Sequence, residues 1–318
     1  MRATKLTTLF MAVLPMLVLG VLSSATPAQG DSFAEYATRC RTEIGKIPAF
    51  SCADGVVVPI TVNGKTPTVY TKNMTCDRPA LLPNGPESDG QCVPGSRILN
   101  LSNANHQVSV MCRQKRIRPK DSLNFDEIDV IAHNPKTGAT CWFQATATSG
   151  GAIDGTAVPS PTDPSSGNFY NRPEAVVHDG CGNCHDNDPF MYSPFVGQVW
   201  GWVPVNPFGR YFHVNLPELE FDSWPTTQIS PRDSTCTGCH RIGVNETCGQ
   251  LANWATGRER PPGSDPKAAS YPLSHSMPPF HGQTEDAWRV INQEAANKIY
   301  DCCLDPTRPE CRASAIPR

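Results

Sequence analysis

The chain carries 14 cysteines in 318 residues, and their placement limits its folding more than any other feature. Four fall in two copies of one pattern, Cys181-Gly182-Asn183-Cys184-His185 and Cys236-Thr237-Gly238-Cys239-His240. Of the other ten, Cys40, Cys52, Cys76, Cys92, Cys112 and Cys141 precede residue 150, while Cys248, Cys302, Cys303 and Cys311 follow residue 240. Both groups are even, so each half can close its own disulfides. Connectivity is not readable from spacing. The local pairs Cys40 with Cys52 and Cys76 with Cys92 are the simplest expectation. Disulfides persist in oxidising compartments, so this count points to an exported protein.

The first residues agree. Arg2 and Lys5 precede an apolar run at residues 9–22, followed by small residues to Ala28. That is the layout of a secretory signal peptide over residues 1–28, with cleavage after Ala25 or Ala28. The run is 14 residues long, and a membrane-spanning helix needs about 20. No later stretch is long and apolar enough to span a bilayer. The mature chain is therefore expected in the periplasm or outside the cell. Without the leader, 25 Lys and Arg stand against 30 Asp and Glu. An acidic balance argues against nucleic-acid binding, which needs a basic surface.

The rest predicts an α+β protein in two parts. Residues 31–147 read as a disulfide-bonded β domain. The run at 55–62 (GVVVPITV) precedes Asn63-Gly64, a hairpin signal, and then residues 66–70. Val108, Val110 and Cys112 alternate with polar neighbours, as a half-buried strand requires. Residues 128–132 and 141–145 flank a second turn signal at Asn134-Pro135-Lys136-Thr137-Gly138. Residues 148–169 are rich in Gly, Ser, Pro and Thr and read as a linker or long surface loop. Residues 170–318 are expected to be loop-rich and mainly helical. The clearest helix is 284–301, with Thr284 as N-cap and Trp288, Ile291, Ala295 and Ile299 on one face. The flanks of the two CxxCH motifs (HDNDPF and HRIGVN) do not match, and no longer repeat is visible.

The motif spacing carries the chemistry. Cysteines at i and i+3 on one helical turn place two thiols along one edge of a planar ring, where they can add to its vinyl groups. A histidine at i+4 turns under the ring to bind its iron. CxxCH therefore reads as covalent haem c attachment. At this composition, chance gives roughly 0.015 such motifs in a chain of this length. Zinc would want four ligands and reduced thiols. A thioredoxin-like CxxC would want a βαβ context. Two haems are expected, on Cys181, Cys184 and His185 and on Cys236, Cys239 and His240.

With Met277-Pro278-Pro279 downstream, these motifs make residues 175–300 similar to the dihaem c-type cytochromes that bacteria secrete; residues 31–150 carry no such resemblance. In single-haem relatives, a Met before Pro, ahead of a C-terminal helix, is the sixth iron ligand. The resemblance thus implies a His240/Met277 pair for the second haem, with His275 and His281 as flanking alternatives. A thioether favours ferrous iron and raises the potential. For the first haem, His185 is proximal. Its sixth position is open between His213, His178, His275, Met191 and no protein ligand; His213, 28 residues on, has the most suitable loop.

Other features carry less. Arg113, Lys115, Arg116, Arg118 and Lys120 form a basic cluster that either docks an acidic redox partner or ends a strand in solvent. Arg210, Arg258 and Arg260 suit haem propionates. His106 and His133 read as structural or exposed. No GxSxG, HExxH or phosphate-binding glycine loop is present. The expected function is electron transfer between redox partner proteins, with no catalytic residue. The alternatives are a peroxidase-like dihaem enzyme with one open iron position, and a β domain that binds a polymer or surface while the haems supply electrons.

Overall fold

The computed structural model describes residues 31–191, 193–205, 208–239, 241–249 and 284–318. The expected leader, His240, Arg258, Arg260, His275, Met277 and His281 lie outside the described residues.

Helix and sheet are mixed, as an α+β chain should be. The described residues begin with a helix that the β reading missed, α1 (Asp31–Glu43). Phe33, Tyr36, Ala37, Cys40 and Ile44 recur at helical spacing and are all buried. Burying each large apolar side chain of that stripe contributes roughly 1.5–3 kcal/mol. Two residues, Val56–Val57, form β1. Strands β2 (Arg97–Asn100), β3 (Gln107–Arg113), β5 (Glu127–His133) and β6 (Ala139–Thr146) then build an antiparallel sheet in the order β1-β2-β3-β5-β6. Between them, β4 (Asn124–Phe125) pairs with β7 (Ile153–Asp154). The hairpin from β5 to β6 follows the expected turn. Asn134 accepts from the Lys136 N–H at 3.1 Å, and Gly138 has φ +88°. A Cβ at Gly138 would meet the Arg210 Cβ at 2.6 Å, so the turn needs glycine twice over. At the other expected hairpin, Val62 and Lys65 bridge across Asn63-Gly64, but no strand extends from either side.

Cross-strand register decides which side chains share a face. Val110, Val130 and Phe143 stand side by side and pack on α1. Cys40–Cys141 ties α1 to β6, and Cys52–Cys112 ties the loop after α1 to β3. The expected Cys40–Cys52 pair does not form, because each thiol reaches the sheet rather than its sequence neighbour. Cys76–Cys92 forms as expected, and each half of the chain closes its own bridges.

Both faces of this sheet depend on later residues. Phe190, Phe195, Val199 and Val203 cover the second face, with Met111 and Ile131. Strand β8 (Phe212–His213) extends the sheet by pairing parallel with β6, Ala139 against Phe212 and Thr140 against His213. Residues 148–169, expected as a linker or surface loop, are exposed at 148–150, but Val158, Ser160 and Thr162 are built into the core. Val158 and Thr162 are 1% exposed, Phe50 bridges Val158, and the Ile47 N–H donates to Thr162 Oγ1 at 2.9 Å. Hydroxyls there satisfy buried backbone, so a polar composition did not mean exposure.

Three further strands and the last described α-helix form a smaller unit. Strands β9 (Thr227–Ile229), β10 (Ile242–Gly243) and β11 (Ser314–Ala315) make a sheet in the order β10-β9-β11. Helix α4 (Glu285–Leu304) starts at Thr284, whose Oγ1 accepts from the Ala287 N–H at 3.2 Å. Trp288, Asn292, Ala295, Ala296, Ile299 and Cys302 form its buried stripe. Ile291, expected on that face, is 62% exposed. Disulfides Cys248–Cys303 and Cys302–Cys311 fix the end of α4.

Candidate functional site

The first CxxCH motif follows one short helix and forms a second. Helix α2 (Pro173–Asp179) ends at Gly180, whose φ of +69° turns the chain into α3 (Cys181–Cys184). The His185 N–H donates to the Cys181 carbonyl at 2.9 Å, so the two thiols share one helical turn, as the spacing predicts. A Cβ at Gly182 would sit 2.3 Å from the Trp224 ring. The turn therefore lies flat on that indole. Burial pushes both thiols up, Cys184 to about 11.

His185 is half-buried, with its ring Nδ1 enclosed. Burial lowers its pKa to about 4 against the opposing pull of the Asp188 and Pro189 backbone. Its Nδ1 has no hydrogen-bond partner. Tyr211, fully buried, donates its hydroxyl to the His185 carbonyl at 2.6 Å. Trp142 packs against the imidazole edge-to-face, with ring centroids 5.0 Å apart.

Trp142 also organises His213. Its Nε1 donates to His213 Nδ1 at 3.0 Å, and Tyr211 and Trp224 pack at 5.0 and 5.1 Å. That bond makes Nδ1 an acceptor, so the proton of the neutral ring sits on Nε2, which is buried without a partner. Burial, and then His185, hold the His213 pKa down to about 3. Of the histidines named for the first sixth position, His213 is thus brought to the His185 cluster. His178 is exposed on α2. To offer a lone pair from Nε2, His213 would have to surrender the Trp142 bond.

The second motif is more open. Residues 235–238 form one tight turn, and the Cys239 N–H donates to the Cys236 carbonyl at 3.2 Å. Cys236 packs on the Ile229–Cys248–Ile299 cluster, while Cys239 is exposed. Ser234 Oγ donates to the Ala295 carbonyl at 3.3 Å and ties this turn to α4.

The segments following the two motifs meet. The Asp186 carboxylate accepts from the Asn245 N–H at 2.6 Å and from Thr247 Oγ1 at 2.5 Å. Arg241, 5% exposed, donates to the carbonyls of Asn187 (3.0 Å) and Gly209 (2.5 Å) and lies 3.9 Å from Asp188. The Asn187 side chain donates back to the Arg241 carbonyl. Burial raises Asp186 and Asp188 to about 7. Trp142, Tyr211, Asp186 and Arg241 were not singled out from sequence. The opposite charges of the two mismatched flanks were the available signal.

The basic cluster is not a free docking patch. Arg113 and Lys115 pair with Glu127 at 3.1 and 2.5 Å, and Arg116 and Arg118 pair with Asp126 at 2.6 and 2.5 Å. Burial works to raise Asp126, yet the Arg118, Lys115 and Arg116 donors outweigh it and hold its carboxyl at about 2. Register explains the neutralisation, since Arg113 stands opposite Glu127. Lys120 alone of the five is exposed. His106 and His133 are buried structural residues; His106 Nδ1 bonds the Ile44 carbonyl and His133 Nδ1 bonds Thr140.

Among the described residues, no group of three or more His, Cys, Asp or Glu is arranged to hold a bare metal ion, and no helix is long and apolar enough to cross a membrane. No protein-family model, curated protein or solved structure matches this chain.

Proposed function

We propose that this chain is an exported dihaem c-type cytochrome that passes electrons between redox partner proteins. One observation carries the reading. Ten of the 14 cysteines pair in five disulfides, and the four left unpaired are the four of the CxxCH motifs. A chain that pairs every other thiol keeps these four for another bond.

The donor set fits haem. Cys181 and Cys184 lie on one turn, and His185 is neutral with an unpartnered ring nitrogen. Cys236 and Cys239 repeat the turn ahead of His240. When bound, haem iron supplies a one-electron couple tuned by its axial ligands and surroundings. The chain's own part is positional. Tyr211 holds the His185 backbone, Gly182 lets the turn lie against Trp224, and the aromatic cluster keeps water from the first site. The second site is closer to solvent through Cys239, which favours it as the point of exchange with a partner protein.

The Trp142–His213 bond favours a second reading, a dihaem enzyme of peroxidase type. If His213 stays with Trp142, it withholds its Nε2 lone pair from the first iron, and an open position there is what such an enzyme needs. Cyanide binding to the ferric protein separates the two. Rapid uptake by one haem supports the enzyme, and two six-coordinate haems that resist cyanide support the carrier. The main test is the mass and the reduced visible spectrum of protein matured in an export pathway that attaches haem. Two haems per chain are expected, one lost in Cys181→Ala/Cys184→Ala and the other in Cys236→Ala/Cys239→Ala. Motif thiols found instead as Cys181–Cys184 and Cys236–Cys239 disulfides would overturn the proposal.

A further inference from the structure

The two CxxCH turns are 55 residues apart in sequence, yet each is followed by a segment that bonds the other. Asp186 is the centre of this contact and is 0% exposed. Both of its oxygens are used, by the Asn245 backbone and the Thr247 hydroxyl. Thr247 Oγ1 in turn accepts from the Gly243 N–H at 2.9 Å. A Cβ at Gly243 would lie 2.1 Å from Asp186 Oδ1, so the strand passes directly over the carboxylate. Asn183, inside the first motif, adds two bonds. Its carbonyl accepts from the Glu246 N–H at 3.1 Å, and its Oδ1 accepts from Asn245 Nδ2 at 2.8 Å. One residue after this loop, Cys248 is bridged to Cys303 of α4.

We propose that Asp186 is a positioning residue: it clasps loop 243–247 to the first CxxCH turn and thereby fixes the separation of the two haems. This rests on the dihaem reading, and it goes further by naming what sets the haem–haem geometry. A buried carboxylate with two donors is a stiff joint, because releasing either donor leaves a buried polar group unpaired. Electron exchange between two centres depends steeply on their distance, so a joint of this kind acts on rate without touching iron.

The test uses the full haem-loaded chain in three forms: wild type, Asp186→Ala and Asp186→Asn. Pulsed electron paramagnetic resonance on the ferric protein reads the distance between the two haems. A single narrow distribution is expected in wild type, a shifted or broadened one in Asp186→Ala, and a return to the wild-type distribution in Asp186→Asn, which keeps an acceptor for Asn245. Hydrogen exchange of residues 241–249 is the second readout and needs no haem. At least a tenfold acceleration is expected in Asp186→Ala. Thr247→Val, which deletes only the hydroxyl, gives an intermediate change if Asp186→Ala fails to fold. An unchanged distance or unchanged exchange in Asp186→Ala overturns the proposal. Wild-type protein that carries no haem overturns the function proposed above instead, and the exchange measurement then decides the clasp alone.

Discussion

Gly182 shows how tightly single positions are held around the first motif. A methyl group there would lie 2.3 Å from the Trp224 indole, far inside contact distance. Gly182→Ala is expected to destabilise the chain by about 1–3 kcal/mol, the usual range for overpacking. Urea denaturation measures it, and under the proposed dihaem function the reduced spectrum should show haem loss at the first site only. Trp142→Phe keeps the ring but removes the donor to His213 Nδ1. It should destabilise by about 1–3 kcal/mol, and it frees His213 to change tautomer. At this scale the sequence was partly legible. The identity and spacing of Cys181, Cys184 and His185 predicted a shared turn, and the turn is there. The partners of that turn were hidden, because Trp142 and His213 meet only through pairing between strands 71 residues apart.

Local elements divide by whether their pattern is local. Strands β3, β5 and β6 follow the alternation of Val108, Val110 and Cys112 and the turn at residues 134–138. Helix α1 was missed although Phe33, Tyr36, Ala37 and Cys40 repeat at its period, because β signals downstream set the reading of the whole segment. Disulfides depend on both. Replacing Cys40 and Cys141 together by Ala opens a link across 101 residues and is expected to destabilise by about 2–5 kcal/mol, read as a lower urea midpoint. On β5, His133 is held neutral first by burial and then by Arg241, with its pKa lowered to about 4. The unfolded chain takes up this proton near pH 6.5. Stability is therefore undiminished above pH 6.5 and is lost progressively as pH falls from there to about 4. The loss is on the order of 3 kcal/mol. His133→Asn should flatten that part of the pH–stability curve, and an unflattened curve would remove His133 as its source.

Across the whole molecule, the two parts read from composition are interlocked. Phe190, Phe195, Val199 and Val203 cover one face of the main sheet, β8 lengthens it, and Val158, Ser160 and Thr162 are buried in its core. A fragment of residues 31–150 should therefore lack near-ultraviolet dichroism and a cooperative transition, whereas the full chain should unfold in a single transition through the main sheet. A fragment that unfolds cooperatively would contradict this. Sequence could not show the interlock, since Gly, Ser, Pro and Thr serve a buried crossing as readily as an exposed one when their hydroxyls find backbone partners.

Ile316 is 2% exposed in the same core as α1, and the Tyr211 N–H donates to the Pro317 carbonyl at 2.9 Å. The main core thus stays unfinished until residue 316 has been made and delivered. In a chain that emerges from its N-terminal end, both CxxCH segments appear well before that moment. There is an interval, set by the order of synthesis, in which the four thiols stand on open chain; under the function proposed above, attachment would take place in that interval, before the closed fold restricts Cys181.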